Sequence, residues 1–181
     1  SMVQIKYMSK TLSDFRNFLK PSTKKVLFSI SKALNEINEI IGKQVFYSNI
    51  NMNFNYKNKN EELLIYGYEN EFKQVLLNII NNAKNKIVEK NLPLNKKGEI
   101  NINIQRCENC NMIEIIDDAG AIDEKIINSI FEPYFTTKEN GMGLGLYMAK
   151  IIIEDKMKGT ISVRNDKNCV IFTIKLPFKK A

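Results

Sequence analysis

The stretch that decides the fold is residues 69–89, ENEFKQVLLNIINNAKNKIVE, which carries an apolar stripe beside a row of polar side chains. The apolar residues recur every three or four positions, the spacing of one face of an α-helix. These residues are Phe72, Leu76, Ile79, Ala83 and Ile87. The pattern predicts one long helix over residues 69–89 that ends before Pro93.

Asn78, Asn82 and Lys86 form a polar row on another face of this predicted helix, because each lies four residues after the one before. Amide oxygens are hard ligands that suit Mg²⁺. Asparagine is also abundant elsewhere in this chain, and polar residues commonly cover a solvated helix face. The row alone therefore leaves a ligand-binding face and a solvated face as alternatives.

Short apolar or alternating runs predict strands on both sides of the long helix. The predicted strands cover residues 26–28, 50–56, 63–66, 100–104, 112–116, 159–163 and 170–176. Further helices are predicted from the cap Ser29 to a stop at Gly42, over residues 123–130, and over residues 143–155. This uneven alternation predicts an α/β (α+β) two-layer sandwich, in which helices cover one face of a mixed β-sheet.

The amino-terminal segment has its own helical pattern, with apolar residues spaced three and four apart and Pro21 where such a helix should stop. Its apolar residues are Ile5, Met8, Leu12, Phe15 and Leu19. The spacing is typical of one arm of a helical bundle, and equally of a helix docked on its own domain.

Composition narrows the function classes. The chain has 181 residues and a net charge of +7, but its lysines are scattered and not interleaved with aromatic residues, so we do not expect nucleic-acid binding. Its longest apolar runs, such as residues 151–153, are far shorter than the roughly 18 residues of a membrane-spanning helix. We therefore expect no direct membrane contact by this chain.

Three cysteines without a signal peptide indicate a reducing, cytoplasmic location. Cys107 and Cys110 form a single CxxC, and the chain contains no histidine, so the usual four-ligand zinc site cannot be completed. We expect these two residues to be incidental thiols in a hairpin turn.

Three further segments contain groups suited to a nucleotide. Asp117 follows a predicted strand and precedes small residues, which let a flat ligand approach while the carboxylate accepts a proton from an exocyclic amine. Residues 131–138, FEPYFTTK, combine aromatic anchors with hydroxyls and an ammonium, and residues 141–146, GMGLGL, open a helix where free N–H groups can hold phosphates. Each segment alone also fits an ordinary turn or loop.

Taken in order, residues 74–83, 117–122, 131–138 and 141–146 resemble the nucleotide-binding boxes of bacterial sensor histidine kinases. These kinases belong to the superfamily of gyrase, heat-shock chaperone, histidine kinase and mismatch-repair ATPases (GHKL). The resemblance implies a Bergerat-type ATP-binding catalytic domain over residues 22–181. Residues 3–21 resemble the second helix of the dimerisation and phosphoacceptor hairpin in kinases of the nitrogen-regulation type.

The resemblance implies transfer of the γ-phosphoryl group of Mg²⁺-ATP to a histidine and then to an aspartate of a response-regulator receiver domain, in a homodimer of the full-length protein. Because this chain has no histidine, it holds no phosphoacceptor and we assign no catalytic residue. Asn78 would bind Mg²⁺, Asn82 would lie near the phosphates with Lys86 assisting, and Asp117 would receive the adenine amine. The other implied nucleotide contacts are Ala121, Ile122, Thr136, Thr137, Lys138, Gly141, Met142, Gly143, Leu144, Gly145 and Leu146.

The sequence departs from the family pattern after Asp117, where Ala119 and Ala121 replace both glycines of the usual Asp-x-Gly-x-Gly-Ile box. The lid, which begins with residues 131–138 and leads to the glycine loop at residues 141–146, is also short between Lys138 and Gly141. A methyl group at residue 121 would weaken ATP binding if the backbone there needs a positive φ or if the methyl meets the nucleotide. One alternative function is therefore a nucleotide-sensing regulatory module. Another is an ATP hydrolase of the same superfamily, although Asn78 stands where those enzymes generally carry a catalytic glutamate.

Overall fold

The computed structural model describes residues 1–6, 8–9, 20–139 and 141–178. Residues 2–6 and 8–9 are helical, and Ile5 and Met8 are exposed, so this part of the segment is not packed on the domain. Leu12, Phe15 and Leu19, together with residues 13–18, lie outside the described residues. The division of the chain at residues 21 and 22 stays a prediction.

In the part of the chain that the structure describes, seven strands form two sheets. The small sheet pairs β1 (Val26–Ser29) antiparallel with β3 (Leu64–Gly67). The large sheet contains β2 (Ile50–Tyr56), β4 (Gly98–Arg106), β5 (Cys110–Asp117), β6 (Thr160–Asp166) and β7 (Cys169–Pro177). Its order is β2-β4-β5-β7-β6, with β2 parallel to β4 and the other neighbours antiparallel.

Among the described residues, three helices pack on this mixed sheet. They are α1 (Ile30–Tyr47), α2 (Glu69–Glu89) and α3 (Gly145–Lys150), and α3 continues into a π-helical segment, Ile151–Lys156. The apolar stripe of α2 is buried in the core against the inner face of the sheet. The predicted two-layer sandwich and the predicted bounds of α2 are confirmed.

The predicted stop of the first helix at Gly42 is wrong. α1 continues to Tyr47 because Val45, which is 2% exposed, extends the buried stripe by another turn. A single glycine costs a helix only about 1 kcal/mol relative to alanine, less than this burial contributes. The chain turns instead at Asn49, whose φ is 60°.

The helix predicted over residues 123–130 is also wrong, because only a 3₁₀ turn, Ile127–Ser129, forms there. The carbonyl oxygen of Asp123 accepts bonds from the N–H groups of Ile126 and Ile127, but the chain then tightens into i to i+3 bonds. The helix predicted over residues 143–155 begins two residues later, since Gly143 has a φ of 69° and cannot be its first turn.

Along β4 and β5, side chains alternate strictly between the inner face of the large sheet, which is buried, and the outer face. Ile100, Ile102 and Ile104 of β4 point into the core, whereas Asn101 and Asn103 point outward. On the outer face, the amides of β2 asparagines donate to the asparagine side chains of β4 at 2.9–3.0 Å. On β5 the same period places Asp117 on the inner face with Ile113 and Ile115, so its carboxylate faces the helices.

The segment that follows residue 19 is fastened to the first turn of α2. The backbone N–H of Ser22 donates to Glu71 Oε1 at 2.8 Å, and Ser22 Oγ accepts from the N–H of Asn70 at 3.3 Å. The Asn70 amide donates to the carbonyl of Lys20 at 3.0 Å. Because Glu71 is only 7% exposed, this contact is buried within the folded domain and is not a transient surface contact.

The turn between β4 and β5 joins Cys107 and Cys110 by a disulfide, so the prediction of two separate thiols is wrong. The antiparallel register of the two strands brings their Cα atoms to 5.0 Å, within the range that a disulfide spans. Within the described ranges, no helix has the length and apolar character needed to cross a membrane.

Candidate functional site

A cavity of about 990 Å³ lies between α2, the segment after β5 and the loop that precedes α3. Ligand cavities usually enclose about 300–1,000 Å³, so the volume suits a ligand of nucleotide size. The predicted site residues that line it are Asn82, Lys86, Asp117, Ala121, Ile122, Thr136, Thr137, Lys138, Gly141, Met142, Gly143, Leu144, Gly145 and Leu146. Asn78 is the one predicted residue that does not line it.

The polar row of α2 crosses the site from end to end. Asn78 lies beside Gly145, where a Cβ would be 3.8 Å from its amide. Asn82 Oδ1 accepts a hydrogen bond from Lys138 Nζ at 3.3 Å, and Lys86 Nζ lies 3.4 Å from Asp117 Oδ1. With a rise of about 1.5 Å per residue, the row spans about 12 Å. It therefore joins the glycine loop, the lid and β5 on one rigid element.

Asp117 closes the end of the cavity formed by β5. Its Oδ1 accepts the N–H of Ala119 at 3.0 Å as well as the ammonium of Lys86. No described residue donates a hydrogen bond to Oδ2. Burial raises the pKa of the Asp117 carboxyl above its ordinary value, against the opposing effects of the Lys86 charge and the Ala119 N–H.

The two alanines after Asp117 adopt ordinary backbone conformations. Neither Ala119 nor Ala121 has a positive φ, and Gly120 between them, at 99°, takes the conformation that favours glycine. Ala119 is buried, whereas Ala121 is exposed and lines the cavity. Backbone strain at residue 121 is therefore excluded as a reason for Ala121 to weaken nucleotide binding. Contact between its methyl group and a ligand is the remaining reason of the two considered.

The lid loop is closed at its base by Tyr134 and Gly143. The N–H of Tyr134 donates to the carbonyl of Gly143 at 2.9 Å, and both residues have positive φ, 65° and 69°. A Cβ on Gly143 would lie 2.4 Å from the carbonyl carbon of Tyr134 and 2.6 Å from the Phe135 oxygen. This approach requires glycine at residue 143.

Within the lid, Thr136 and Lys138 form a compact turn. Thr136 Oγ1 accepts the N–H of Lys138 at 3.0 Å, and the Lys138 carbonyl accepts the N–H of Gly141 at 3.1 Å. This turn aims the Lys138 ammonium across the cavity at Asn82. The short lid thus holds a positive charge over α2.

Several residues that line the cavity were not among the predicted site residues. They are Ala83, Glu89, Asp123, Ile126, Ile130, Phe135, Glu139 and Phe172. Phe172 comes from β7 and packs edge-on against Phe131 of the lid, with ring centroids 6.2 Å apart. Inward alternation on the last strand is the one pattern that could have found it.

The two-layer sandwich and the polar helix that crosses its cavity are typical of the class of α/β ATP-binding domains. Residues 67–180 match the family described as Histidine kinase-, DNA gyrase B-, and HSP90-like ATPase, and the chain belongs to this family. The match covers the polar row, the lid and the glycine loop.

Relatives of known name, and a solved structure, are kinases. Sporulation kinase A of Bacillus subtilis is 30% identical over 171 residues, 93% of this chain and 27% of the relative. The Sensory histidine kinase/phosphatase NtrB of Rhodobacter capsulatus is 43% identical over 65 residues, 36% of this chain and 18% of the relative. The solved catalytic domain of the histidine kinase ThkA superposes with a TM-score of 0.76 at 28% identity, covering 86% of this chain and 97% of that domain. The chain covers nearly all of the solved ThkA catalytic domain but spans less than half of the length of the first curated relatives.

Proposed function

We propose that this chain is the catalytic ATP-binding domain of a two-component sensor histidine kinase. In this proposal the γ-phosphoryl group of Mg²⁺-ATP passes to a histidine outside this chain, and then to an aspartate of a response-regulator receiver domain. The observation that carries it is the polar row of α2, which reaches from Gly145 to Asp117 across a cavity of nucleotide size. Such transfer depends mainly on positioning and charge neutralisation, which this site supplies.

The base end is proposed at Asp117. The free Oδ2 is an acceptor on the cavity wall, which suits the exocyclic amine of adenine. Ala121 and Ile122 lie beside it in the same wall and offer apolar contact to the base.

The phosphate end is proposed at the other end of the row. The Asn78 amide, which makes no hydrogen bond within the described residues, offers an oxygen of the kind that Mg²⁺ accepts as ligand. Mg²⁺ would neutralise charge on the phosphates. Lys138 and Thr137 of the lid would contact phosphate oxygens, and Gly141, Gly143 and Gly145 would present backbone N–H groups to them.

The wider assignment is also part of the proposal. ThkA, which has the same fold, has been solved in complex with the response regulator protein TrrA, and this supports a receiver-domain partner. Exposed Ile5 and Met8 on the amino-terminal helical segment support a homodimeric bundle in the full-length protein. A cytoplasmic location of this portion is a further part of the proposal. The similarity to NtrB supports the nitrogen-regulation type, although the match to Sporulation kinase A extends over more of the chain.

The test is calorimetric titration with the ATP analogue AMP-PNP, with and without Mg²⁺. We expect micromolar to sub-millimolar binding that requires Asp117 and whose Mg²⁺ dependence disappears in Asn78→Ala. The matched control is Lys84→Met, on α2 but outside the cavity. Absence of binding at millimolar nucleotide would refute the proposal and favour the regulatory-module alternative.

A second measurement separates the kinase from the ATP-hydrolase alternative. Phosphate release from ATP should stay at background, because Asn78 is an amide and cannot act as the general base that activates water. Steady multiple-turnover hydrolysis that disappears in Asp117→Asn would point to the hydrolase.

A further inference from the structure

Lys86 lies beside Asp117 at the base end of the cavity, and it changes which nucleotide bases that end can recognise. Its ammonium lies 3.4 Å from Asp117 Oδ1, and its side chain is about one-third exposed along the cavity wall. The cavity therefore presents a donor and an acceptor side by side. This inference rests on the proposed function, since it takes Asp117 to be the base contact.

The position of Lys86 separates it from the phosphates. It lies two turns of α2 beyond Asn78, on the side away from Gly145. Lys138 already supplies an ammonium at the lid, bonded to Asn82 one turn closer to the glycine loop. Lys86 is therefore placed to act on the base and not on the triphosphate.

A carboxylate alone discriminates between purines. Adenine offers it the exocyclic amine as a donor, whereas guanine places the O6 carbonyl at that position, so two acceptors would face each other without a proton. Sites that leave a buried polar group unpaired reject a ligand strongly. An Asp117 without a neighbouring donor would thus select adenine.

The ammonium of Lys86 removes this penalty. Guanine can direct O6 to Lys86 Nζ and its N1–H to the free Oδ2 of Asp117, while adenine donates its amine to the same oxygen. We propose that Lys86 is a specificity-determining residue that lets the base end accept 6-oxopurine nucleotides as well as adenine nucleotides.

The experiment measures the affinities of ADP, GDP and IDP in Mg²⁺ buffer by calorimetry. We expect all three to bind wild-type protein, with ADP and GDP within about tenfold of each other, a difference of about 1.4 kcal/mol. IDP should follow GDP, because it keeps O6 and N1–H and lacks only the 2-amine. In Lys86→Met the preference for ADP over GDP should rise at least about tenfold.

Two variants serve as controls. Lys86→Arg keeps a donor beside Asp117 and should keep the wild-type ratio, and Lys84→Met removes a charge from α2 outside the cavity and should also leave it unchanged. Equal loss of ADP and GDP affinity in Lys86→Met would overturn the inference, as would wild-type protein that binds ADP but not GDP or IDP. If wild-type protein binds none of the three, the proposed function itself fails.

Discussion

Replacing Gly143 by alanine tests the geometry of the lid. The new methyl group would lie 2.4 Å from the carbonyl carbon of Tyr134, and the residue would keep a φ of 69°. The left-handed conformation costs a non-glycine residue about 1–2 kcal/mol, and overpacking against backbone that cannot rotate away adds about 1–3 kcal/mol. The closed lid should therefore lose about 2–5 kcal/mol, which corresponds to at least about 30-fold weaker nucleotide binding.

The assay is ADP titration combined with urea denaturation, and Gly42→Ala is the matched control. Gly42 lies within α1, where a Cβ meets only the exposed side chain of Asn38, so alanine should stabilise the protein by about 0.5–1 kcal/mol. The reasoning is refuted if Gly143→Ala binds ADP as tightly as wild type and unfolds at the same urea concentration.

Three further predictions concern the two ends of the site. At pH values above the raised pKa of the Asp117 carboxyl, where burying its charge is costly, Asp117→Asn should increase the free energy of unfolding. Urea titrations at several pH values should show that this gain disappears below the ordinary carboxyl pKa, and a gain that does not change with pH would contradict the prediction. Lys138→Met should weaken AMP-PNP binding in calorimetry but leave AMP unchanged, since AMP does not reach the lid; equal losses would place Lys138 elsewhere. Ala121→Gly should tighten ATP binding by less than about tenfold, because only the methyl contact is removed; equal affinities would show that the methyl does not matter.

The sequence predicted α2 to its terminal residues because burial pattern and helix ends agreed there. In α1 the apolar pattern continued beyond the stop signal at Gly42. Burial of Val45 outweighed the weak local signal of one glycine, so the helix continued. Residues 123–130 held too few turns for periodicity to distinguish a 3₁₀ turn from a helix. Local signals therefore decided the fold only where tertiary packing reinforced them.

The cavity shows a similar limit. The polar row, the lid and the glycine loop could be selected from spacing and resemblance, and the fold brings them around one cavity. The contact of Lys86 with Asp117 could not be predicted, because it joins α2 to β5 across 31 positions of sequence. The resemblance implied that Lys86 assists at the phosphates, and its ion pair with Asp117 is the observation from which we infer a role at the base end.

The hydrogen bonds that join residues 20–22 to α2 can be compared in free energy with the coupling between distant sites in proteins. A hydrogen bond to a carboxylate such as Glu71 contributes about 1.5–3 kcal/mol, and each of the two neutral bonds that involve Asn70 about 0.5–1.5 kcal/mol. Their sum, about 2.5–6 kcal/mol, is as large as or larger than the 1–3 kcal/mol of a typical coupling free energy between distant sites (about 5- to 150-fold in affinity). Under the proposed function, this joint would withstand a coupling of that size and would pass it to the helix that carries Asn78, Asn82 and Lys86.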